Sequence, residues 1–138
     1  MAYAALLICM LCACSAQHVP PDLTVKAIGE EGTEDVTATI GTYSWDYGSG
    51  GIEADAPHPL DMKSMATVPG SPEKLELVFK RKAIGYSVHR WTRGAGYDDF
   101  DTVETEDNTI TLPADGEIYE VVAEYKDGTV HYVFQTDK

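Results

Sequence analysis

Beyond position 14 this chain has no cysteine, and the three it has stand together in "CMLCAC" (9–14). That excludes a disulfide framework for everything downstream. Cationic side chains are scarce: 10 Lys and Arg stand against 23 Asp and Glu, a formal net charge of −13. Such a charge repels nucleic acid and opposes lying flat on anionic lipid head groups. No apolar run reaches the roughly 20 residues of a membrane-crossing helix, and no helical stripe extends beyond two turns. The patterns of enzyme chemistry are missing as well. There is no G-x-S-x-G elbow, no H-E-x-x-H pair, no phosphate-binding glycine loop and no cysteine nucleophile after position 14. The chain reads as a non-enzyme with no cofactor.

What is present begins with an apolar run from Ala4 to Ala13, after which the chain turns polar and meets Pro20 and Pro21. About ten apolar residues is the length of the hydrophobic region of a secretory signal. The run ends Leu11-Cys12-Ala13-Cys14, which resembles a bacterial lipobox. The resemblance implies that residues 1–13 are a lipoprotein signal peptide and that Cys14 becomes the lipidated first residue, its thiolate forming the thioether. Residues 14–22 then read as a short polar tether, and 23–138 as a single domain on the extracytoplasmic face of a cell membrane. The two or three acyl groups of such an anchor hold stably where one would not. The opening "MAYAALL" departs from the pattern in having no Lys or Arg; a start codon a few residues upstream would supply one.

Past the tether, period-two alternation predicts an all-β antiparallel sandwich. The expected strands are "LTVKA" (23–27), "EDVTATIGTYSWDY" (34–47), a weaker "MKSMATV" (62–68), "KLELVF" (74–79), "IGYSVHRW" (84–91), "NTITL" (108–112), "EIYEVVAEY" (117–125) and "TVHYVFQ" (129–135). "GSGG" (48–51), "PGSP" (69–72) and "KDG" (126–128) are the turn signals between them. Alternation assigns Leu75, Leu77, Phe79, Tyr86, Val88, Ile110, Leu112, Tyr119, Val121, Ala123, Tyr125, Val130, Tyr132 and Phe134 to the core. From residue 68 onward, "PGSPEKLELVF", "GYSVHRW" and "NTITLPADGEIYEVVAEYKDGTVHYVF" resemble strands B, C, E, F and G of an immunoglobulin or fibronectin type III-like sandwich. The resemblance puts Tyr119 where such folds bond a tyrosine hydroxyl back across the E–F corner. More loosely, "GTYSW" with "ADAPHPLD" resembles small surface lipoproteins of Gram-positive bacteria. No catalytic residue carries over from either resemblance.

Two groups of residues stand out for binding. In "YSWDYGSGGIEADAPHPLD" (43–61), Tyr43 and Trp45 share a strand face opposite Ala38 and Ile40, and His58 is held between Pro57 and Pro59. Flanking prolines stiffen the loop and lower the entropy cost of binding. Tyr43, Trp45 and His58 are therefore the candidate ligand-binding residues, unless they simply pin the loop to the sandwich. The second group lies on the outer face of the expected sheet, where His89 and His131 should flank a strand carrying Glu120 and Glu124. Two histidines with a carboxylate form a known divalent-metal set. The acidic stretch "YDDFDTVETED" (97–107) lacks calcium-loop spacing and reads as a solvated loop. The function expected is a lipid-anchored recognition module of the bacterial envelope. Its partner would be an envelope protein or cell-wall ligand. The alternatives are a structural or accessory module without a small-molecule ligand, or a divalent-metal-binding surface domain.

Overall fold

The computed structural model describes residues 18–111 and 113–137. The signal segment, Cys9, Cys12, Cys14 and Leu112 lie outside them. Eleven strands form two antiparallel sheets packed face to face. They are β1 (Leu23–Gly29), β2 (Gly32–Thr37), β3 (Thr39–Asp46), β4 (Gly51–Ala54), β5 (Ala66–Val68), β6 (Lys74–Phe79), β7 (Gly85–Trp91), β8 (Phe100–Thr102), β9 (Thr109–Thr111), β10 (Ile118–Tyr125) and β11 (Gly128–Thr136). One sheet runs β2-β1-β6-β9; the other runs β4-β3-β11-β10-β7-β8, with β5 added in parallel to the end of β11. The β-sandwich is thus the observed architecture, and a single 3₁₀ turn, Pro59–Asp61, is the only helical element among the described residues.

Most of the core forms where the alternation put it, with Phe79 and Tyr86 partly buried and packed against it. Leu75, Leu77, Val88, Ile110, Tyr119, Val121, Ala123, Tyr125, Val130, Tyr132 and Phe134 are buried, joined by Leu23, Val25 and Val68 from the rest of the chain. Each large apolar side chain contributes about 1.5–3 kcal/mol on burial. The Ala114 N–H donates to the Tyr119 hydroxyl at 2.9 Å, tying the connection before β10 back onto that strand.

Two expectations are corrected. The stretch 34–47 is two strands in different sheets: the chain crosses at Ala38, whose N–H bonds to the Leu23 carbonyl. Within β3 the register against β11 then shifts, so that Val130 faces Tyr43 but Tyr132 faces Ile40. Two residues, Gly41 and Thr42, oppose the single residue His131, which is a β-bulge. A bulge resets the side-chain parity, so Ala38, Ile40, Tyr43 and Trp45 all pack against the core instead of dividing between two faces. A side chain at Gly41 would press a Cβ to 3.3 Å from the His131 carbonyl oxygen.

The tether is also shorter than expected, because Pro20 and Pro21 are buried. The Tyr132 hydroxyl donates to the Pro21 carbonyl at 2.5 Å and accepts from the Tyr125 hydroxyl at 2.9 Å. Burial raises the pKa of both tyrosines above the ordinary 10, so both stay protonated donors. His18 packs its ring 4.3 Å from that of Tyr47. The entering chain is therefore fastened at the end of the sandwich that holds the β10–β11 hairpin.

That hairpin depends on Gly128. A Cβ there would lie 1.9 Å from the Ser44 carbonyl oxygen, part of the backbone of the adjacent β3. Only the loss of β3 pairing relieves such a clash. Gly128→Ala should lower stability by more than about 3 kcal/mol, read as the shift in the urea unfolding midpoint; an unchanged midpoint would refute the close approach.

Candidate functional site

The outer face of the larger sheet is also covered. Trp91, Ile118 and Val133 point outward and form a second apolar cluster with Leu60, Met62 and Met65 of the β4–β5 connection. Pro57 and Pro59 stiffen that connection, and His58 between them fastens it. The Leu60 N–H donates to His58 Nδ1 at 3.1 Å, which leaves the ring proton on Nε2 to donate to the Tyr97 carbonyl at 3.2 Å. His58 also meets Trp91 edge-on, with ring centroids 4.5 Å apart. The Tyr97 hydroxyl donates to the Asp61 carboxylate at 2.8 Å. His58 and Asp61 thus join the β4–β5 and β7–β8 connections into one layer over the sheet.

Beside this layer lies a buried carboxylate. Glu120, 8% exposed, accepts from His131 Nδ1 at 3.1 Å through Oε2, with His89 Nδ1 at 3.4 Å and the Trp91 indole N–H at 3.4 Å from Oε1. Adjacent strands supply these partners: Glu120 is in register with His89 across β7, and His131 with Val122 across β11. Burial by itself would raise the carboxyl pKa. The hydrogen bond and attraction from His131, with the bonds from Trp91 and His89, outweigh burial and hold it below the ordinary 4.5. Because the ionised carboxylate only accepts, each imidazole presents an Nδ1 proton to it and turns Nε2 away.

Above the trio sits an aromatic shelf. Phe100, in the short edge strand β8, stacks on His89 with centroids 4.0 Å apart and leans on Trp91 at 5.0 Å. Arg90 pairs with Asp101 at 2.9 Å and holds β8 down. Phe100 is 41% exposed and Tyr97 58%, which makes them two of the five large hydrophobics that reach solvent among the described residues.

The chain matches no family model, no curated protein sequence and no solved structure.

Of the residues singled out in the sequence, His89, Glu120 and His131 converge; the others do not. Glu124 lies four residues along β10 from Glu120, roughly 13 Å away at strand spacing, opposite Gly85 and Thr129. Among the described residues no group of three or more His, Cys, Asp or Glu is placed to hold a metal ion. The two histidines direct Nδ1 onto the carboxylate, so they meet Glu120 through hydrogen bonding. Trp45 is 3% exposed, lies edge-on to Tyr125 at 5.5 Å and is capped by the Arg81 guanidinium. With Tyr43 packed beside it, Trp45 is a core residue and no stacking platform. His58 belongs to the opposite face of the sheet, so Tyr43, Trp45 and His58 form no common surface.

Tyr97 and Phe100 escaped the sequence reading because their stretch is acidic. The available signal was two aromatics three residues apart in a loop otherwise suited to water.

Because the folded pKa of Glu120 is depressed, its contribution to stability is full above pH 4.5 and fades as pH falls through the lower folded value. Glu120→Gln should cost about 1–3 kcal/mol at pH 7. The gap to the parent chain should narrow progressively below pH 4.5, measured by denaturant unfolding at each pH. A gap that is constant with pH would contradict the charge-based account.

Proposed function

We propose that this protein is a lipid-anchored recognition module of the bacterial cell envelope, tethered through Cys14, and that it works by binding without catalysis. The observation that carries the reading is the shelf formed by Tyr97 and Phe100. Rigid aromatics exposed beside a hydrogen-bonded polar cluster are the usual anchors of a binding surface. Each is held before any partner arrives, Tyr97 by Asp61 and the His58 contact, Phe100 by His89 and Trp91. Preorganisation of this kind lowers the entropy cost of association.

The shelf is shallow. The larger clefts lie elsewhere, one between the β1–β2 hairpin and residues 69–73, another against the glycine turn 48–51, and both open to solvent. A shallow aromatic surface suits a protein or polymer partner better than an engulfed small molecule, which favours an envelope protein or a cell-wall chain. It also keeps the accessory protein-interaction reading alongside the first. The immunoglobulin or fibronectin III-like type of the sandwich belongs to the same proposal. Its support is the pairing of β6 with β1 and β9, of β7 with β10 and β10 with β11, and the Tyr119 bond at the corner.

The test is Tyr97→Ala combined with Phe100→Ala. Capture of envelope proteins or cell-wall fragments by the immobilised chain should fall at least about tenfold, as expected when two interface anchors are lost, while the thermal midpoint moves little. Capture that is unchanged by the double substitution would remove the shelf from consideration.

A further inference from the structure

The fastening of Pro20 and Pro21 fixes which end of the domain meets the membrane. This inference rests on the lipid anchor at Cys14. Only residues 15–17 separate Cys14 from His18, and four fully extended steps reach roughly 14 Å. His18 lies against Tyr47, and the Tyr132 hydroxyl locks Pro21. The lipid therefore cannot stand far from the pole formed by Tyr47, the 80–84 loop and the β10–β11 hairpin. The loop belongs to this pole because the Lys80 N–H bonds to the Asp22 carbonyl and the Ile84 N–H to that of Glu124.

The chemistry of this pole differs from the rest of the surface. Lys80, Lys82 and Lys126 are exposed there and form no ion pair among the described residues, while Arg81 is neutralised by Asp127. Asp46 is turned back onto the Gly48 N–H, while Asp22 beside Lys80 and the exposed Glu124 beside Ile84 are acids of the same pole. Two apolar side chains stand out among these charges: Ile84 is 75% exposed, the most exposed large hydrophobic among the described residues, and Val19 is 57% exposed. The opposite pole carries Glu30, Glu31, Glu34 and Glu73 around its cleft. The nine residues of β11 separate the two ends by roughly 30 Å, about four Debye lengths in physiological salt. The distant acids therefore weaken the attraction of the near lysines only slightly.

We propose that this pole is a membrane-docking surface: Lys80, Lys82 and Lys126 contact anionic phospholipid head groups, and Ile84 with Val19 enters the interface between them. The net charge of −13 then orients the molecule, keeping the acidic end and the sides of the sandwich turned to solvent. The shelf of Tyr97 and Phe100 stays clear of the bilayer, since β8 pairs with the far half of β7.

The experiment sediments the full chain with vesicles of phosphatidylcholine alone and of equal parts phosphatidylcholine and phosphatidylglycerol, at low and high salt. The Cys14→Ser chain lacks the lipid site but keeps the pole. It should bind the anionic vesicles better than the neutral ones, and high salt should abolish the difference. Combining Lys80→Gln, Lys82→Gln, Lys126→Gln and Ile84→Ser should lower the anionic excess by about tenfold or more, given about fivefold per lysine at an anionic surface. Lys26→Gln with Lys74→Gln, away from this pole, should leave it unchanged. The substituted side chains are solvent-facing, and an unaltered thermal midpoint confirms folding. An absent excess, or one indifferent to the four substitutions, overturns the docking surface. Failure of the anchor reading shows separately, as a parent chain from bacterial membranes whose salt-resistant binding equals that of Cys14→Ser.

Discussion

Everything in this molecule is arranged around one hairpin that must be covered on both faces. Strands β10 and β11 bury Tyr119, Val121, Ala123, Tyr132 and Phe134 on one side and Ile118, Glu120 and Val133 on the other. A sheet whose two faces are both apolar cannot rest on a single partner layer. The four-stranded sheet closes the inner face. The outer face is closed by chain without regular strands, the β4–β5 and β7–β8 connections, and this covering carries the residues with functional character.

The consequence is a division of labour between the two faces. The inner core holds the sandwich together and fastens the entering chain through the hydroxyl relay Tyr125–Tyr132–Pro21. The outer layer, shallow and partly polar, leaves a carboxylate short of water. Glu120 is tolerated because two imidazoles and an indole N–H satisfy it, the condition under which a buried charge persists. Those partners in turn fix His89, on which Phe100 stacks. A polar group under the surface thus sets the position of an apolar group on it. The domain would present that shelf to one side and its lysine-bearing pole to the membrane.

Several features were legible in advance. Strand β6 has the bounds that its alternation predicted, and β7, β10 and β11 fall within a residue of theirs. The approach of His89 and His131 to Glu120 followed from parity and the order of neighbouring strands, both local rules. Parity does not tell which ring nitrogen turns inward; hydrogen bonding to Glu120 decides that, and it is Nδ1 of both histidines. Strict alternation puts Tyr43 and Trp45 on the wrong face because its period runs straight through Gly41 and Thr42. A bulge is invisible to alternation: it exists only as a mismatch with the partner strand, here opposite His131.

The sequence by itself determined the all-β class, the positions of the main strands and most of the core, since period-two burial and turn-forming residues act over a few neighbours. It determined too that charge would be strongly negative and that cysteine would be confined to the first 14 residues. Tertiary structure alone decided that the prolines of the tether would be packed, that Trp45 would be core, and that the acidic loop would lend Tyr97 and Phe100 to a surface built on His58, His89 and Glu120. Each of these depends on contacts between segments far apart in the chain, such as Pro21 with Tyr132 or Asp61 with Tyr97. Local periodicity carries no information about which distant segment will arrive to cover a given face.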